Sequence, residues 1–129
     1  MKTNLFLVFF CITVSAYSQD YDLLVSSFTS TCTGKTTKGL EEPQTRWKLS
    51  SQKAELYFTS KYDKSQRQTI LLFNVKEIKI ENDPINGKAY IYNISSYKSG
   101  EGTLIYVPQE NFVKIVLGEN NCGTTYDLY

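Results

Sequence analysis

The sequence predicts an all-β domain, a single antiparallel meander of about eight strands closed into a small barrel. Three observations lead there. Apolar residues recur with a period of two through several short segments, as they do in strands whose successive side chains face opposite ways. No segment carries a convincing 3.6-residue apolar stripe. Neighbouring segments are joined by short links rich in turn-forming residues, which favours antiparallel neighbours. Eight strands enclose an interior just wide enough for side chains or one small ligand. A two-layer β-sandwich is the alternative fold.

Residues 1–18 read as a cleaved secretion signal. Lys2 is followed by an apolar run over residues 5–14 and a small-x-small site, Ala16-Tyr17-Ser18. The run is roughly half the ~20 residues that a membrane helix needs, so no membrane span is expected in the mature chain. Phe10 before Cys11 suits a lipid-modified cysteine poorly, and Cys11 is assigned to the signal. Residues 19–129 are then one domain, secreted to an extracellular or periplasmic compartment. Lys2 is one of fourteen basic residues, so the mature chain balances thirteen against thirteen acidic ones. That balance lacks the basic excess of a nucleic-acid binder. Cys32 and Cys122 remain, and behind a secretion signal an even pair is expected to form a disulfide.

The first strand is expected over residues 21–30, with Tyr21, Leu23 and Val25 on one face and Leu24 and Phe28 on the other. Residues 31–43 read as a loop. Gly34-Lys35-Thr36 within it resembles the end of a phosphate-binding loop, but Thr29 stands where that pattern needs glycine, and no helix follows. Residues 45–49 and 54–58 alternate cleanly and form a hairpin across residues 50–53. Residues 61–68 are a charged loop.

The most β-branched stretch follows, TILLFNVKEIKIE at residues 69–81. Its first half is apolar at odd positions and also at Ile70 and Leu72, which suggests burial on both faces. Its second half is apolar at even positions, Ile78 and Ile80. Moving the set from odd to even needs one extra residue, and the sequence therefore predicts a β-bulge at Lys76 and Glu77. The turn DPING at residues 83–87 then sets Ile80 against Tyr90 and Ile78 against Tyr92, and the bulge brings Ile94 into phase with Val75. All five of Ile78, Ile80, Tyr90, Tyr92 and Ile94 are expected to face the core. Residues 103–107 and 112–117 form a last hairpin, pairing Tyr106 with Val113 and Leu104 with Ile115. Residues 123–128 close the chain. The spacing of Cys32, Trp47 and Cys122 resembles the buried pin of immunoglobulin domains. The chain departs from that pattern at Asn120, where a tyrosine is expected, and in having only seven residues after Cys122.

Histidine is absent altogether, which removes the common nucleophile-activating pairs, the usual proton shuttle and most zinc sites. The carboxylates that remain, such as Glu77 and Glu81, fall on the outward face beside Lys79. We therefore expect no enzyme, no cofactor and no metal. Two binding functions are open. Inward Trp47, Tyr90, Tyr92 and Tyr106 form a candidate pocket for a small apolar or aromatic ligand. Alternatively, another protein docks on the outer face of the last hairpin, where Ile105, Val107, Phe112 and Val116 gather four apolar side chains that a solvated face would not carry.

Overall fold

A computed structural model describes residues 20–32, 35–40, 45–59, 66–85, 87–118 and 122–129. The expected signal, including Cys11, lies outside the described residues. The described residues are all-β, in nine strands: β1 Tyr21–Cys32, β2 Lys35–Leu40, β3 Thr45–Leu49, β4 Lys53–Thr59, β5 Arg67–Asp83, β6 Gly87–Ser96, β7 Gly100–Val107, β8 Phe112–Leu117 and β9 Cys122–Leu128. Each of β3 to β8 pairs antiparallel with the next, and β1 closes the ring by pairing with β3 on one edge and β9 on the other. The result is an eight-stranded antiparallel barrel, with β2 as a short ninth strand along the second half of β1.

β2 corrects the expectation of a loop over residues 31–43. Thr36 and Thr37 are β-branched and suit a pleated edge, and β1 continues past Ser30 to offer them a partner. The edge of β1 that β3 occupies at residues 21–24 is thus taken by β2 from Ser27 onward.

The DPING hairpin has the expected register. Ile80 faces Tyr90, Ile78 faces Tyr92 and Val75 faces Ile94, with a bulge between Val75 and Glu77. Ile85 N–H donates to the Asp83 carboxylate at 2.8 Å, and Gly87 takes the positive φ that the turn requires. The last hairpin likewise pairs Tyr106 with Val113 and Leu104 with Ile115. Tyr92 and Ile94 are fully buried, Tyr90 and Ile78 pack against the core, and Ile80 is half-buried near the hairpin end.

Two further bulges change what the alternation implied. One falls in β1 between Val25 and Ser27. It shifts the phase by one residue, so Phe28 joins Val25 on the inside and meets Tyr126, ring centres 6.4 Å apart. The expected placement of Phe28 opposite Val25 is corrected accordingly. The other falls in β5, where Leu56 faces Leu71 but Tyr57 faces Thr69, leaving Ile70 as the extra residue. Ile70 and Leu72 point outward and are each 47% exposed. The expectation that this half of β5 is buried on both faces is therefore wrong: it has a core on one side only.

Candidate functional site

The barrel interior is filled by its own side chains. Trp47, Phe73, Tyr92, Leu104 and Val113 are essentially inaccessible to solvent. They come from five strands and meet because each lies at an inward position of its strand. Tyr90, Tyr106, Val113, Tyr126 and Phe28 succeed one another in register along β6, β7, β8, β9 and β1. From across the barrel Tyr21 reaches Tyr90 and Tyr106, with ring centres at 5.5 and 5.1 Å, and hydrogen-bonds to Tyr90. Burial, reinforced by the Tyr90 hydroxyl, pushes the Tyr21 phenol well above its ordinary range, and burial does the same to Tyr92 and Tyr106.

The expected pocket residues are thus brought to one interior. Trp47 and Tyr92 lie in its core, and Trp47 packs edge-on against Tyr126 at 5.5 Å. Tyr90 and Tyr106 stack 6.0 Å apart. The Trp47 indole Nε1 is buried with no hydrogen-bond partner among the described residues. Four clefts formed by described residues open on the outside of the barrel, and none of these four side chains lines them.

The expected partner face is less exposed than the sequence suggested. Val107 is buried at 5% exposure, while Ile105, Phe112 and Val116 are half-buried. Ile105 is flanked in register by Ile91 and Lys114, and Val116 by Thr103 and Gly123. The face is therefore a broken stripe.

A different region brings exposed apolar side chains together, whereas exposed Ile85 and Tyr129 lie outside it. Ile70 and Leu72 on β5 stand beside Tyr97, which is fully exposed on the turn between β6 and β7. A cleft of about 340 Å³ runs between them, lined by residues 69–73 of β5 and 96–99 of the turn. Sequence reasoning missed this place. The signal was present: counting the DPING hairpin outward to its far turn exhausts β6 at Ser96, opposite Asn74 and its neighbours, so the earlier residues of β5 have no β6 partner.

A polar network crosses the outside on the opposite side of β5. Tyr57 donates to both carboxylate oxygens of Asp22 at 3.0 Å, and Arg67 lies 3.8 Å over the Tyr57 ring while pairing with Glu55. Burial and the Asp22 carboxylate raise the Tyr57 phenol. Among the described residues no group of three His, Cys, Asp or Glu side chains could hold a metal, and no helix is long and apolar enough to cross a membrane. Searches against protein-family models, curated proteins and solved structures found no match for this chain.

Proposed function

We propose that this chain is a secreted, non-enzymatic binding module whose barrel serves as a scaffold and whose outer surface contacts another protein. One observation supports this above the others. The interior is occupied by fully buried side chains, whereas Ile70, Leu72 and Tyr97 leave apolar surface together in water. Burying each such side chain is worth roughly 1.5–3 kcal/mol, and clustered exposure of this kind commonly marks an interaction site. A photo-crosslinking amino acid at Tyr97 tests it in the secreting cell. A discrete protein adduct from position 97, and none from Glu110 at the other end of β7, is the expected result. No adduct from position 97 would overturn the surface reading.

A second reading keeps the interior as a site for a small apolar or aromatic ligand among Trp47, Tyr90, Tyr92 and Tyr106. It is favoured by the unpartnered indole N–H of Trp47, which a ligand carrying an acceptor would satisfy. Trp47 is the sole tryptophan, so its emission reports the interior directly. Emission unchanged across a panel of small apolar and aromatic compounds goes against this reading.

Secretion would permit a disulfide between Cys32 and Cys122. β1 and β9 pair as far as Thr31 opposite Gly123, and a register continued by one more step would bring Cys32 opposite Cys122. Residues directly opposite in an antiparallel pair have Cα atoms about 4.5–5.5 Å apart, within the span that a disulfide accepts.

A further inference from the structure

β5 outruns the strand beside it. Its register with β6 stops at Asn74 opposite Ser95, yet β5 begins at Arg67, and its residues before Asn74 pair with β4 alone. Val75 N–H donates to Gln52 O, on the β4 side, at 2.8 Å. Backbone groups of alternate residues point to opposite edges of a strand. Phe73 and Leu71 therefore also address β4, while Leu72 directs its N–H and C=O the other way. On that side the described residues supply no strand: β6 has ended, and the chain turns back through residues 97–99. The cleft between edge and turn is bordered outside by Ile70, Leu72 and Tyr97, and Lys98 carries the one formal charge among its described lining residues.

We propose that this edge receives an extended segment of another protein, added as a short strand beside Leu72. The segment is apolar where it meets Ile70 and Leu72 and carries an acidic side chain where it meets Lys98. Main-chain pairing to an open edge gives affinity, and the flanking side chains give selectivity. The bulge at Ile70 bends the strand, so the flat part of the edge is short and the Lys98 contact contributes a large share of the selectivity. Charge argues against a second copy as the occupant. Two-fold antiparallel pairing about Ile70 would run residues 67–73 of each copy, which contain no acidic residue, past the other's Lys98 and leave it without a counter-charge.

The proposal rests on the surface reading, and its test uses purified protein. Panning against a phage-displayed library of random peptides is expected to enrich β-branched runs next to Asp or Glu. In titrations of a synthetic enriched peptide, Lys98→Glu should weaken binding tenfold or more, and a peptide with Lys in place of its acid should regain affinity for that variant. Methylating alternate amide nitrogens of the peptide should abolish binding while methylating the intervening ones does not, because an added strand pairs through one edge only. The Leu72 amide should become protected from hydrogen exchange. The proposal is overturned by an absence of enrichment, by equal effects of the two methylation series, or by indifference to Lys98→Glu. Self-association that Leu72→Lys dissolves would overturn the choice of occupant. A Tyr97 adduct in the cell together with failure here retires the strand and leaves the surface reading standing.

Discussion

Single residues show how closely burial and alternation interact in this barrel. Tyr57 lies on the outward face of β4, between inward Leu56 and half-buried Phe58, yet it is only 5% exposed because the Arg67 side chain covers its ring. Its hydroxyl serves the Asp22 carboxylate. Tyr57→Phe should therefore cost about 1 kcal/mol, less than the roughly 1.5–3 kcal/mol of a hydrogen bond to a buried charged group because the Asp22 side chain is half exposed, measurable by urea denaturation. The interior tyrosines make a second prediction. Tyr21, Tyr92 and Tyr106 hold their protons more tightly in the folded chain than in the unfolded one, where a phenol ionises near ~10. Their contribution to stability is complete below that value and is lost as pH rises above it, since the unfolded chain then releases protons that the folded chain retains. Alkaline titration should show the tyrosinate absorbance of this cluster appearing together with loss of the β-sheet circular dichroism. Tyrosinate absorbance from these residues in a still-folded barrel would contradict the burial that shifts them.

At the scale of strands, three bulges decide which residues face inward. The bulge at Lys76 was legible because the apolar set changes parity within one strand and the DPING turn fixes the pairing independently. Two faults that cancel in a single register are hard to produce by chance. The register makes a sharp contrast between neighbours. Ile94→Asp, which places an unpaired charge at a position 1% exposed, should cost about 4 kcal/mol or more, whereas Asn93→Asp on the solvated face should stay within about 0.5 kcal/mol. Thermal unfolding of the two variants checks it. The bulges at Ser26 and Ile70 were not legible, and for a physical reason. Serine suits either face of a strand, and Ile70 followed by Leu71 and Leu72 offers apolar residues to both faces, so the sequence there carries no phase to break. β2 was hidden by its Thr, Lys and Gly composition, which a loop and an edge strand share. The exposed cleft is hard to see in the sequence because an apolar run by itself argues for burial, whereas the length of the neighbouring strand decides whether anything covers it.

On the scale of the whole molecule, the pairing of β1 with β9 turns a sheet into a ring, and among the described residues open edge is left along β2, which pairs with β1 alone, and where β5 outruns β6. If Cys32 and Cys122 are bridged at that seam, Cys122→Ser should lower stability by at most roughly 4–5 kcal/mol on the chain-entropy account, less any native strain. Denaturation of the oxidised protein and the variant measures it, and mass spectrometry of non-reduced peptides checks the link itself. Native protein in which both thiols alkylate would end the idea. The seam also sets the order of events during biosynthesis. Ser26 and Asp127, hydrogen-bonded across it, stand 101 residues apart, so β1 emerges first and must wait, unpaired on that side, until the last strand has been made. Contacts this distant are slow to form, and the waiting edge invites aggregation. A nascent chain halted before β9 should accordingly be sticky and protease-sensitive however complete its other seven barrel strands are, and release of the final residues should convert it to a soluble form in one late kinetic phase.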